Sequence, residues 1–191
     1  MLRNLNAQVA RQIAPPLMPD VGRKPASSTI EYDPFLDASR VLEAMKHEPL
    51  IVTPENRSVA LSVAGTNVTV LISSDESETQ QLTLQSGQEG SGPPPHSHPW
   101  DESFYVTSGQ VQFTCDGKTT MCRAGTLVHV PAGTVHSFSY GVGGGEMLEV
   151  TGGASKSVQS FIALDREISP GPVDVSKIVK VAGEYGVKFH L

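Results

Sequence analysis

The stretch that decides how this chain is read runs Gly90-Ser91-Gly92-Pro93-Pro94-Pro95-His96-Ser97-His98-Pro99-Trp100-Asp101-Glu102. His96 and His98 are two residues apart, so on a β-strand both imidazoles leave the same face. Glu102 joins that face if the turn through Pro99, Trp100 and Asp101 keeps parity. Gly109 closes this first pattern, Gly90-x5-His96-x-His98-x3-Glu102-x6-Gly109. A second pattern follows, Gly125-x5-Pro131-x-Gly133-x2-His136, in which a Pro-x-Gly turn delivers His136 from a separate strand. Three imidazoles and one carboxylate make a good set of ligands for a divalent transition metal. His96, His98, Glu102 and His136 are therefore the expected metal ligands.

Outward from these motifs the chain reads as β-structure. Short alternating runs are expected as strands at Leu50–Thr53, Ser58–Val63, Asn67–Ser73, Thr79–Gln85, Pro95–His98, Ser103–Thr107, Gln110–Cys115, Lys118–Cys122, Thr126–Val130, His136–Tyr140, Glu146–Thr151 and Val158–Ala163. Turn chemistry separates them at Ala64–Asn67, Gly87–Gly92, Ser108-Gly109, Asp116-Gly117, Ala132-Gly133 and Gly141–Gly145. Many short strands at near-regular spacing predict an all-β sandwich or barrel. Residues 1–48 read as an N-terminal arm with a short helix over Pro34–Lys46, residues 49–168 as the barrel, and residues 169–191 as a C-terminal tail with a short helix near Val175–Val181. No internal repeat is present.

Composition narrows the function further. With 191 residues, a net charge of −6 and no basic stripe, the chain is a single domain with arms and no nucleic-acid binder. No apolar run approaches the roughly 20 residues that cross a bilayer, and no secretory h-region is visible. The expected address is the cytoplasm. Against it stands the Arg3 and Arg11 segment free of acidic residues, whose Leu5, Val9 and Ile13 stripe also fits a mitochondrial presequence. Cys115 and Cys122 flank the Asp116-Gly117 hairpin turn, which pairs Cys115 with Lys118 and Cys122 with Val111. That separates the sulfurs by roughly 13 Å, too far for a disulfide.

These two motifs resemble the two signatures of the cupin superfamily, over about Ser58 to Ile168. The resemblance is to small single-domain, quercetinase-like members, and it departs from the common pattern at Tyr140, where many members carry Asn. It implies a double-stranded β-helix, or jelly-roll barrel, and places the family's metal ligands on His96, His98, Glu102 and His136. It also implies a homodimer and a metal-dependent dioxygenase, in which Glu102 takes a proton from an enolic or phenolic substrate and dioxygen adds to the activated carbon skeleton. The cofactor is one divalent transition metal, with Fe, Ni, Mn, Co, Cu and Zn all compatible. The substrate class is small aromatic, enolic or polyketide-type molecules.

Parity extends the site. Phe104 and Val106 follow Glu102, and Phe138 and Tyr140 follow His136, so Phe104, Val106 and Phe138 are expected in the pocket wall. Glu102 and Tyr140 are the expected catalytic groups, Tyr140 as a donor to a bound oxygen. Trp100 is expected to cover the barrel mouth. His129 faces out if Val128 and Val130 face in, and His47 and His190 are surface residues. Two other functions fit the same ligand set: a Lewis-acid isomerase, lyase, cyclase or decarboxylase, and a non-catalytic cupin that binds a small ligand.

Overall fold

The computed structural model describes residues 49–168 and 174–191, all within one compact unit, Lys46–Leu191. The expected helix over Pro34–Lys46, the remainder of the arm, His47 and the presequence-like stripe lie outside the described residues. Nine strands are present among those described: β1 (Leu61–Val63), β2 (Thr66–Ile72), β3 (Gln80–Gly87), β4 (His96–Ser97), β5 (Glu102–Cys115), β6 (Lys118–Arg123), β7 (Leu127–Val130), β8 (His136–Gly152) and β9 (Lys188–Phe189). They form one antiparallel sheet in the order β1-β2-β3-β8-β4-β9, with β5 paired to β6, β7 and β8. The sheet curls into the half-barrel of a jelly roll. Two helices, α1 (Ser157–Ile168) and α2 (Val175–Glu184), complete the described structure.

The turn between β5 and β6 sets the register there. Asp116 and Gly117 both take positive φ, 46° and 77°, as a two-residue hairpin turn requires. Cys115 accordingly faces Lys118 and Cys122 faces Val111, and both cysteines are free.

β5 and β8 each join two runs that the sequence suggested as separate strands. In β5 the buried positions are Glu102, Phe104 and Val106, then Val111 and Phe113, so parity switches once along the strand. The switch coincides with breaks in the β5–β8 register around Ser108 and Gly109. Gly109 sits at φ 66°, and a Cβ there would run into the Gly144 carbonyl. The same happens in β8, where His136, Phe138 and Tyr140 face inward, then Met147, Glu149 and Thr151. Phe104, Phe113 and Phe138 meet with ring centroids 5.2 to 5.8 Å apart and, with Val106, Val111, Val130, Tyr140 and Met147, fill the closed part of the barrel. Each such buried side chain contributes about 1.5–3 kcal/mol.

Three expected elements differ. Leu50–Thr53 is not a strand, and Leu50 and Ile51 are exposed. Val158–Ala163, expected as a strand, lies within α1, because Val158, Phe161, Leu164 and Ile168 recur at helical spacing. Residues 174–191 carry the helix expected near Val175–Val181, as α2, and beyond the expected tail also β9. Asp174 caps α2 by accepting from the Lys177 N–H. Ala163 and Leu164 of α1 pack with Val181 and Ala182 of α2, and Val63, Val187 and Phe189 join them. β9 hydrogen-bonds to β4, pairing Phe189 with His96.

Candidate metal centre and its cavity

Both motifs are locked together by the backbone. The Gly133 N–H donates to the His98 carbonyl at 2.8 Å, and the Ala132 N–H donates to Asp101 Oδ1 at 2.7 Å. The Pro131–Gly133 turn is thereby fixed to the loop that carries His98. β4 then pairs His96 directly with His136 of β8.

One ligand atom from each of His96, His98 and His136 lies within 4.8 Å of the others, so these three histidines could hold a metal ion. His98 and His136 are buried and His96 is half-buried. The other ring nitrogen of each is occupied in the same way. Nδ1 of His96 faces the Pro94 carbonyl at 3.0 Å, that of His98 the Trp100 carbonyl at 2.9 Å, and that of His136 the Thr134 carbonyl at 2.9 Å. A carbonyl only accepts, so each Nδ1 carries the hydrogen and each neutral ring presents an Nε2 lone pair. That is the tautomer a metal requires, with the orienting backbone bond common to metal-bound histidines.

Glu102 stands beside two of these rings, 3.2 Å from His98 Nε2 and 2.6 Å from His136 Nε2. Buried His98 Nε2, His136 Nε2 and Glu102 Oε1 have no geometrically sound hydrogen bond among the described residues. Neutral nitrogen lone pairs aimed at a carboxylate repel unless a cation or a proton lies between them. The donor set thus fits a divalent ion. Without one, burial would raise the Glu102 carboxyl, but the closeness of His136 and His98 outweighs it and holds it at about 2. Burial lowers His136, yet Glu102 more than compensates and raises it. Burial, and then the neighbouring His136, pull His96 down to about 4.

The site opens on a cavity of about 220 Å³. His96, His98, Glu102, Phe104 and Phe138 line it, as do Leu164 and Phe161 of α1 and Ile178, Val179 and Ala182 of α2. The C-terminal helices thus supply much of the apolar wall. Trp100 stacks on His98, with ring centroids 4.3 Å apart and planes within 5°, and also lines the cavity.

Of the expected pocket residues, Phe104 and Phe138 line the cavity. Val106 and Tyr140 do not: both are in the closed core, 0% and 2% exposed. Tyr140 lies four residues beyond His136 along β8, roughly 13 Å away. Its ring fills the space above Gly87, where a Cβ would meet it. Its hydroxyl is buried without a partner, and burial, followed by Glu149 and Glu146, pushes the phenol well above its ordinary range. The catalytic assignment of Tyr140 is corrected accordingly, because a group packed in the core reaches no ligand in the cavity. His129 is exposed and bonds Ser103 Oγ at 2.9 Å, and exposed His190 bonds Ser97 Oγ at 2.9 Å. Burial pushes both cysteine thiols up, away from nucleophilic use.

Sequence reasoning missed Glu149. It is 2% exposed, lines the cavity, and accepts at Oε2 from Thr83 Oγ1 at 2.5 Å and Gln85 Nε2 at 2.7 Å. It lines the same cavity as Glu102, and burial, followed by the Glu102 charge, pushes it up to about 8. The parity of His136, Phe138 and Tyr140 would have turned position 149 outward, and only the switch near Gly143 and Gly144 turns it in.

Comparison with known proteins agrees with this architecture. Residues 83–151 match the family model for the cupin domain, Cupin_2. Among solved structures, KdgF from Halomonas sp. is similar over 58% of this chain and 99% of its own, with TM-score 0.53 and 12% identity. An RmlC-like cupin from Shewanella frigidimarina aligns over 60% of this chain and 99% of its own, with TM-score 0.52 and 17% identity. The polyketide cyclase RemF from Streptomyces resistomycificus aligns over 56% and 80%, with TM-score 0.50 and 21% identity. The uncharacterized protein SCO3923 of Streptomyces coelicolor is 40% identical over 43 residues, which is 22% of this chain and 41% of that protein's own length. The domain match and the shared fold support the cupin superfamily. No helix among the described residues is long and apolar enough to cross a membrane.

Proposed function

We propose that the protein is a metal-dependent cupin enzyme, in which His96, His98, His136 and Glu102 hold one divalent transition metal at the wall of the cavity. The observation that carries this reading is the shared tautomer: three Nδ1 atoms given to carbonyls leave three Nε2 lone pairs, on rings whose ligand atoms lie within 4.8 Å of one another. The bound metal would supply Lewis acidity and, if redox-capable, a route for dioxygen chemistry. The first reading is a quercetinase-like dioxygenase acting on a small aromatic, enolic or polyketide-type substrate. Phe104, Phe138 and the α1–α2 wall bind the apolar body of such a substrate and exclude water. Glu102, on the cavity wall, takes the proton of its acidic hydroxyl.

One observation favours a second reading. Glu149 and Glu102 both line the cavity, and two carboxyl groups on one cavity wall supply an acid and a base for an isomerase, lyase, cyclase or decarboxylase that needs no dioxygen.

The test begins with elemental analysis of the purified chain beside a His96→Ala/His136→Ala double variant. Near one transition metal per chain, lost in the variant, is the expected result. An oxygen electrode with flavonols, catechols and enolic diketones then separates the readings: substrate-dependent oxygen uptake supports the dioxygenase, and turnover without uptake supports Lewis-acid chemistry. Failure to take up any divalent ion, even on reconstitution, overturns both and leaves a binding module.

A further inference from the structure

β3 runs against its own hydrophobic pattern. Its buried side chains are Gln81, Thr83 and Gln85, while Leu82 and Leu84 occupy the other face and are only half-buried. Polar residues facing the interior of a barrel need partners, and those of Gln85 form a fixed chain. Its Nε2 donates to Glu149 Oε2 at 2.7 Å and, at a longer 3.3 Å, to Thr83 Oγ1. Thr83 Oγ1 gives its own hydrogen to Glu149, so it meets Gln85 as an acceptor. With Glu149 Oε2 and Thr83 Oγ1 both accepting, the amide turns its NH2 towards them. Oε1 is left without a donor among the described residues, on a side chain that is 3% exposed and lines the cavity.

We propose that Gln85 is a specificity-determining residue of this cavity, its amide oxygen receiving a hydrogen-bond donor carried by the ligand. Thr83 and Glu149 are the positioning residues that hold the amide in that orientation. The ligand class follows from the wall. Val68, Phe104, Phe138, Leu164 and Ile178 demand a largely apolar body, the histidine centre takes one oxygen function, and Gln85 requires a second group bearing O–H or N–H. A molecule with only one polar group leaves the Gln85 oxygen desolvated and unpaired, which is how a site built to bond a hydroxyl rejects the analogue without it. This inference rests on the metal reading of the histidines, and its test separates the two.

The full chain, loaded with cobalt(II) and its metal content measured, is titrated calorimetrically with phenol, catechol, resorcinol and hydroquinone. These probes fit the cavity and carry the second hydroxyl at three different separations from the first. Wild type is expected to bind at least one of the diols about 10-fold more tightly than phenol. Gln85→Met, unbranched and of similar volume, is expected to bring that diol to within about 2-fold of phenol, with phenol bound no more weakly than by wild type and cobalt content unchanged. Should that variant not fold, Gln85→Asn withdraws the oxygen by one carbon while keeping an amide, with the same loss of preference expected. A diol preference that survives in the folded variant, or no preference in cobalt-loaded wild type, overturns the role of Gln85 and leaves the metal centre standing. A wild type that takes up no cobalt overturns the metal reading and this inference with it.

Discussion

β3 and β5 flank β8 on opposite edges, and both alternate, but they bury opposite kinds of residue. β5 turns Phe104, Val106, Val111 and Phe113 inward and leaves Tyr105 and Gln112 out. β3 turns Gln81, Thr83 and Gln85 inward and leaves Leu82 and Leu84 half-covered. The difference follows what each strand meets across the barrel. Beyond Glu102, β5 packs the core, where its buried side chains are apolar and in mutual contact. β3 faces the cavity half and a buried carboxyl, and its side chains satisfy Glu149 and Ser155 instead of filling space. The barrel is a packed core at one end and a polar-floored binding site at the other.

The largest effect is expected where β5 is purely apolar. Phe113 is 2% exposed and touches Phe104 and Phe138, so Phe113→Ala should cost about 3–5 kcal/mol of unfolding free energy in urea. A loss under about 1 kcal/mol would mean that this end of the barrel is not the core, and the contrast with β3 would collapse.

The polar floor should announce itself in the pH dependence of the chelator-treated protein. Glu149 has a folded pKa of about 8 against an ordinary 4.5. Its contribution is therefore intact below about pH 4.5 and lost as the pH rises through 8. Glu102 has the opposite sign: held at about 2, it stabilises above 4.5 and loses that as the pH falls through 2. His96, held at about 4 against 6.5, also stabilises above its unfolded value and loses this as the pH falls through 4. Glu149→Gln should thus flatten the alkaline side of the melting curve and leave the acid side in place. Melting temperatures measured from about pH 5 to about pH 9 decide it, and parallel curves for variant and wild type would show that Glu149 carries no such strain.

What the sequence disclosed, and what it hid, follows the same division. The metal motifs were legible because their chemistry is tied to local spacing: His96, His98 and Glu102 lie within seven residues, and His136 follows a Pro-x-Gly turn. The Asp116-Gly117 hairpin was legible for the same reason. Phe104 and Phe138 followed by parity over two residues. Parity failed over longer runs: the switch in β8 left Glu149 unseen, and Tyr140 was read as facing the ligand when it packs in the core. α1 was taken for a strand because Val158, Phe161 and Ile162 suit either period in a short window, and the α1–α2 wall of the cavity went unseen with it. The sequence located β3 without orienting it, and its inward face carries Gln81, Thr83 and Gln85 while Leu82 and Leu84 lie on the other.

That last point gives the smallest and most discriminating effect. By hydrophobic pattern alone, Leu84→Thr would remove a core side chain and cost several kcal/mol. In the folded protein Leu84 is half-buried on the outer face, opposite Thr69 of β2 and Leu148 of β8. A β-branched residue suits that position on a strand, so Leu84→Thr should cost no more than about 1 kcal/mol, read from urea midpoints at constant slope. It should also leave cobalt uptake unchanged, because neither neighbour belongs to the cavity wall. A loss as large as that of Phe113→Ala would mean that β3 presents its leucines to the interior. Gln85 would then face away from the cavity, and its role in selecting ligands would fall with the strand's orientation.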